Sequence, residues 1–264
     1  MNASDNSNIA EYLDFAISMA KRAGEIHLKY FRKRDLEMNT KLNVYDVVTV
    51  ADRESEKYII GAIKQRYPQH GIIAEESGSD HEECEYRWVI DPLDGTTNFS
   101  QGLPIFCVSI ALEIQGESVL GVVYAPYLGE LFTAVKGKGS YLNGQPLRCN
   151  TGKDLASSVV STGFPYDKQV NPDNNIEEAS RVIPLVRGLR RLGSAAIDLC
   201  YVAAGYLDAY WELDLKHWDV AAGQLIAKEA GVKICSLREN RHHSILASAP
   251  DIFEDMGKLL CVNV

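Results

Sequence analysis

Trp88-Val89-Ile90-Asp91-Pro92-Leu93-Asp94-Gly95-Thr96-Thr97-Asn98-Phe99 carries the densest chemistry of the chain. The apolar run 88–90 reads as a buried strand that delivers Asp91 to the edge of the core. Pro92 has no N–H to give a sheet ladder, so a turn is expected there, and Asp94 then faces the same point as Asp91. Gly95 lets the backbone approach a ligand closely, and a helix starting near Thr96 would aim free N–H groups at an anion. Two carboxylates beside an anion-binding turn suit hard, oxygen-loving cations that neutralise and position a phosphate. The competing reading is a plain corner in which Asp forms the turn and caps the helix.

Upstream, Ile9, Leu13, Ala16, Ala20, Ala23, Ile26 and Tyr30 recur at helical spacing and predict a long first helix. A loop over 33–45 follows, and Thr49-Val50-Ala51-Asp52 reads as a capping box opening a helix that carries Ile59, Ile60 and Ile63. Gly71-Ile72-Ile73-Ala74 is a second short apolar run that ends in carboxylates. Downstream, residues 104–136 turn β-like, with Gln115-Gly116 and Leu128-Gly129 as turn signals, and short connections predict an antiparallel sheet. After about 150 the order is mixed: strand near Val159, helix over 176–186, helix from Ser194, strand near Ala209 and helix from His217. These elements predict an α/β fold in two lobes, 1–150 and 151–264, forming one integrated structure.

The composition, 46% hydrophobic and 24% charged, is that of an ordinary globular protein with material for a large core. No window approaches a membrane span, and residues 1–8 lack the pattern of a signal peptide, so a cytoplasmic location with no membrane contact is expected. The six cysteines, Cys84, Cys107, Cys149, Cys200, Cys235 and Cys261, show no C-x-x-C spacing and read as reduced thiols. A net charge of −9 argues against general nucleic-acid binding. It suits a phosphate substrate only if cations first invert the local charge.

The run 88–99 resembles the signature of the inositol monophosphatase family, including the Trp before the strand and the Asn-Phe after the threonines. Asp46-Val47-Val48-Thr49-Val50-Ala51-Asp52 is similar to the family's D-x-V-T-x-x-D stretch. Ile73-Ala74-Glu75-Glu76-Ser77 is similar to its G-E-E-S segment with Ala74 in place of Gly. Trp218-Asp219-Val220-Ala221-Ala222-Gly223 is similar to its second signature. Gly193-Ser194-Ala195-Ala196 and Tyr210-Trp211-Glu212 match the elements between, so the resemblance runs from Ile9 to Ala249. It implies a layered αβαβα sandwich of the inositol monophosphatase, fructose-1,6-bisphosphatase and sugar phosphatase type.

The resemblance further implies a Mg²⁺-dependent phosphatase with two or three ions. Glu75, Asp91 and the carbonyl of Leu93 would hold a first ion, and Asp91, Asp94 and Asp219 a second; Glu75 would support a third through water. Asp52 and Thr96 would orient and deprotonate the attacking water, with Glu75 also in the catalytic set. Leu93, Asp94, Gly95, Thr96, Gly193, Ser194, Ala195, Glu212 and Asp219 would contact substrate. The implied reaction is hydrolysis of myo-inositol monophosphate by metal-activated water, inhibited by lithium, in a homodimer. Alternatives on the same scaffold are fructose 1,6-bisphosphate, histidinol phosphate or NADP as substrate, or a non-enzymatic scaffold or regulatory partner. Thr162-Gly163-Phe164-Pro165-Tyr166 looks more like bacterial members than animal ones. Arg190 and Arg191 are expected at a surface or subunit interface rather than on substrate.

Each acid also has a plainer reading. Asp52 would complete the capping box with Thr49, Glu75-Glu76 would be a solvated pair ahead of the acidic stretch 80–85, and Asp219 would favour the first turn of its helix. None of these explains why all the acids fall in one family's register.

Overall fold

A computed structural model describes residues 3–33, 38–40, 47–80 and 84–261. The expectations for Asp46 and for part of the acidic stretch 80–85 lie outside them.

The chain opens with α1 (Ala3–Tyr30), whose Ile9, Ala16, Met19, Ala20 and Ala23 form a buried stripe. A hairpin of β1 (Met38–Thr40) and β2 (Val47–Thr49) occupies part of the expected loop and leads straight into α2 (Val50–Arg66). There follow β3 (Gly71–Ala74), β4 (Gly78–Asp80), β5 (Tyr86–Asp94), the short helix α3 (Thr96–Ser100), β6 (Cys107–Ile114), β7 (Glu117–Ala125), β8 (Glu130–Val135), β9 (Ser140–Leu142) and β10 (Gln145–Pro146). The remainder comprises β11 (Val159–Thr162), α4 (Ile176–Val182), β12 (Gly188–Arg190), α5 (Ala195–Ala203), β13 (Ala209–Leu215), α6 (His217–Glu229), β14 (Lys233–Ser236), β15 (His243–Ser248) and α7 (Phe253–Leu259).

Strands β3–β10 form one eight-stranded sheet in the order β10-β9-β8-β7-β6-β5-β3-β4, and β11–β15 form a five-stranded sheet in the order β12-β11-β13-β15-β14. Apolar side chains of α1 and α2 pack on one face of the large sheet. Its other face meets α5 and α6, which also cover the inner face of the second sheet. A third cluster joins the outer face of that sheet to α4 and α7. The result is the five-layer αβαβα order, each layer burying the apolar face of the next. Deep positions such as Trp88, Trp211 and Ile59 are sealed from solvent, where truncation to Ala typically costs about 2–5 kcal/mol.

The turn expected at Pro92 is absent. Strand β5 continues through Pro92 to Asp94, and its pairing with β6 jumps from Asp91↔Ser109 to Asp94↔Cys107. The irregularity absorbs the proline, whose missing N–H falls where the ladder is broken. The expected helix over 176–186 is also divided: α4 ends at Val182, and a 3₁₀ turn containing Pro184 covers Ile183–Leu185.

Candidate active site

The large sheet brings its acids together by register. Strands β3 and β5 run parallel, with Ala74 opposite Ile90. Glu75 and Asp91 are therefore the next residues on neighbouring strands, and the Glu75 N–H reaches Ile90 O at 3.3 Å. The β5 irregularity then carries Asp94 onto the same corner, while α6 brings Asp219 from the other half of the chain in its first turn. Together with Leu93, Gly95, Thr96, Gly193, Ser194, Ala195 and Glu212, these acids line one cavity of about 440 Å³. Asp52 stands behind Thr96, outside that lining.

The four acids crowd one another. Burial pushes the Asp91 carboxyl well above the usual range, and Glu75, Asp94 and Asp219 push it further. Asp219 is raised in the same way by burial, then Asp94 and Glu75. Asp94 is raised by burial although Ser194, Ala196, Ala195 and Cys107 all hydrogen-bond it. Its Oδ2 accepts from Ser194 Oγ at 2.6 Å and from Ala196 N at 2.8 Å. The start of α5, expected to face substrate hydroxyls, is thus turned toward Asp94. Asp91 Oδ1 accepts from Leu93 N at 2.9 Å, and Asp219 Oδ2 from Lys216 N at 2.6 Å. Each of these three acids has one oxygen held by such a bond.

Among the described residues no three acids, histidines or cysteines close to metal-holding geometry as they stand. The donor set nevertheless fits a hard cation. It offers carboxylate and carbonyl oxygens alone, and the mutual repulsion of buried acids is relieved by positive charge between them.

Asp52 satisfies both of its readings at once. Its Oδ2 accepts from Thr49 N at 2.9 Å and from Thr49 Oγ1 at 2.5 Å, completing the capping box, while its Oδ1 accepts from Thr96 Oγ1 at 2.9 Å. Burial lifts its carboxyl to about 7 against the lowering effect of Thr49. The Thr96 hydroxyl also lies 3.0 Å from Leu93 O, so its single proton is shared between carboxylate and carbonyl. Gly95 makes this corner possible: its φ is +92°, and a Cβ would stand 2.8 Å from Ile105 O.

On the opposite wall Glu212 is half-buried, and desolvation raises its carboxyl to about 7. Tyr210 donates to its Oε2 at 2.7 Å. The carboxylate lies against Gly163, where a Cβ would sit 2.0 Å from Oε2. Glu76, unlike Glu75, does not line the cavity.

Two residues carry weight that the sequence reading did not give them. Arg190 and Arg191 are both exposed, and Arg191 also lines the cavity. His27 is fully buried, and its Nε2 lies 2.8 Å from Pro92 O, bracing the β5 irregularity from behind. A signal for His27 existed: it continues the stripe Ala16, Ala20, Ala23 as a polar residue on an apolar face.

Fold and acid corner together define a layered α/β protein with an oxygen-lined, anionic cavity, and comparison with known proteins gives it a lineage. The inositol monophosphatase family model matches residues 8–260, and the chain belongs to that family. Members of the family are generally Mg²⁺-dependent. The protein named Nus factor SuhB from Pasteurella multocida is 46% identical over 237 residues, covering 89% of this chain and 88% of that relative. The inositol monophosphatase of Anabaena (Nostoc) sp. PCC 7120 superposes with a TM-score of 0.86 at 38% identity over 96% of both chains. The extragenic suppressor protein SuhB of Bartonella henselae superposes with a TM-score of 0.88 at 36% identity, over 96% of this chain and all of that one.

Proposed function

We propose that this protein hydrolyses a small phosphate monoester in a Mg²⁺-dependent reaction, with myo-inositol monophosphate as the substrate that fits best. The observation that carries this reading is the shared cavity in which Glu75, Asp91, Asp94 and Asp219 meet, with the Thr96–Asp52 pair at its edge.

Glu75, Asp91, the Leu93 carbonyl, Asp94 and Asp219 would hold two or three Mg²⁺. Bound there, Mg²⁺ supplies the positive charge that draws phosphate into an anionic cavity and makes water more acidic. The protein's own groups do the rest. Thr96 Oγ1 stands between cavity and carboxylate, so it takes up a proton from the attacking water while passing its own to Asp52 Oδ1. With its carboxyl near 7, Asp52 is matched to accept that proton around neutral pH. Glu212 Oε1, left over from the Tyr210 bond, is the acceptor for a substrate hydroxyl. Lithium inhibition, a homodimer and a cytoplasmic setting belong to the same reading.

The test is turnover of a panel of phosphate esters: myo-inositol monophosphate, fructose 1,6-bisphosphate, histidinol phosphate and NADP. Inositol monophosphate should be cleaved fastest, chelation should abolish turnover and Mg²⁺ should restore it. Full activity in metal-free buffer, or no cleavage of any ester, would sink the reading.

The name Nus factor, carried by relatives at 40–46% identity, supports a second reading as a partner protein acting without turnover. Binding to a transcription complex that survives Asp91→Asn would favour it.

A further inference from the structure

Outside the acid cavity, on the far side of Lys216 and Trp218, a second cleft opens. In it, His217 at the start of α6 faces His243 at the start of β15, with Nδ1 of the first 3.2 Å from Nε2 of the second. Their ring centres are 5.1 Å apart and their planes differ by 23°.

What distinguishes this pair is the group behind it. The other ring nitrogen of His217, Nε2, lies 2.6 Å from Glu113 Oε1. Glu113 is only 2% exposed, and its second oxygen is held by Arg87 through Nε at 3.0 Å and Nη2 at 2.6 Å. A carboxylate so held is an anionic acceptor, so His217 Nε2 carries the proton and Nδ1 presents a lone pair to the cleft. A carboxylate–histidine arrangement of this kind orients a ligating imidazole and raises its basicity.

We propose that His217 Nδ1 and His243 Nε2 form a site for a borderline divalent transition-metal ion such as Zn²⁺ or Ni²⁺, with Glu113 as the positioning carboxylate. Bonds of about 2.0–2.1 Å at a near-tetrahedral angle place two such nitrogens roughly 3.3 Å apart, close to the separation observed. His242 is turned to other partners, its Nδ1 lying 2.9 Å from Asp214 Oδ1 and 3.3 Å from Lys216 Nζ. Two protein ligands therefore hold the ion, and solvent completes its shell. The neighbouring guanidinium groups do not repel it as free charges: Arg238 is paired with Asp173 and Glu178, and Arg241 with Asp167 and Asp214. Imidazole ligands select against Mg²⁺, which prefers oxygen, so this site and the acid cavity take different ions.

The experiment is calorimetric titration of Zn²⁺, and separately Ni²⁺, into the full chain held in saturating Mg²⁺, with imidazole NMR resonances followed in parallel. The wild type should bind one equivalent that Mg²⁺ does not displace, shifting the His217 and His243 signals. His243→Gln, an exposed position outside the acid cavity, should weaken that binding at least tenfold. Glu113→Gln should weaken it about 10–100-fold, with its thermal unfolding recorded to show that the fold persists. Equal affinity in wild type and His243→Gln overturns the site. So does absence of a Mg²⁺-resistant equivalent in the wild type.

Discussion

Strands β5 and β6 carry buried acids at both ends of one ladder, and the two ends are built in opposite ways. At one end Arg87 sits opposite Glu113, and at the other Asp91 sits opposite Ser109. Burial raises the Glu113 carboxyl, but His217 and Arg87 more than reverse this and hold it below its usual range. Asp91, equally buried, is driven upward by that burial and then by Glu75, Asp94 and Asp219. A buried charge held by an arginine and a ring N–H belongs to the fold, whereas clustered like charges are a cost that a bound cation would relieve. The contrast supports the metal site proposed at the acid corner on electrostatic grounds, independently of its lineage.

The strongest way to break this contrast is Asp91→Asn. The Asn oxygen can still accept from Leu93 N, so the corner should keep its shape. Removing one of four mutually repelling acids should leave the metal-free protein as stable as wild type or more so. Mg²⁺ should raise the wild-type melting temperature, since a ligand at 100 times its Kd adds about 2.7 kcal/mol, and should do little for the variant. Turnover should be lost. A variant that melts well below wild type without metal would show that Asp91 serves the fold, as Glu113 does.

Next in size is the Thr96–Asp52 pair. Thr96→Ala keeps the backbone N–H but removes the hydroxyl bonded to Asp52, and kcat should fall by ~10²–10⁴ with KM little changed. Asp52→Asn should give a similar loss, and the double variant should be little worse than either single one. Because the amide oxygen can still accept from Thr49 at the start of α2, Asp52→Asn should change stability by less than about 1 kcal/mol. Losses that multiply in the double variant would separate the two groups.

At the balanced end, Arg87→Ala leaves Glu113 with the His217 ring N–H as its remaining side-chain donor. Loss of these charge-assisted hydrogen bonds should destabilise the protein by about 2 kcal/mol, read by denaturant unfolding. Turnover of the surviving folded fraction should stay close to wild type. A large fall in kcat would tie this end of the ladder to the chemistry.

The sequence disclosed the acid end and not the balanced end, for a physical reason. Asp91, Asp94, Gly95 and Thr96 lie in one short run, and Asp52 and Asp219 each sit in a legible helix start. Glu113 has partners 26 and 104 residues away, which no local pattern joins. The same rule governs the fold. The stripe of α1, the capping box of α2 and the Gln115-Gly116 turn between β6 and β7 are local and were readable. The three-residue strand β12 and the C-terminal pair β14 and β15 depend on tertiary neighbours, and nothing in their short runs marked them. Pro92 misled because a broken ladder tolerates it.

The smallest effect belongs to Glu76→Gln, and it sharpens the contrast by working one residue from the site. Glu75 and Glu76 lie in the turn that joins β3 to β4, and there Glu75 lines the cavity while Glu76 does not. The Glu76 backbone N–H donates to Glu56 Oε2 at 2.8 Å, and this bond survives the substitution. Burial raises the Glu56 carboxyl, and the negative charge of Glu76 adds to that rise. Neutralising Glu76 therefore removes a repulsion, and stability should be unchanged or slightly higher, within about 0.5 kcal/mol. Mg²⁺ affinity and turnover should remain within roughly twofold of wild type, the equivalent of that energy. Glu75→Gln, made alongside, should lose most of both. If the two variants fell equally, charge anywhere along this segment would suffice for the effect, and the register between β3 and β5 would no longer explain why one acid of the pair belongs to the site.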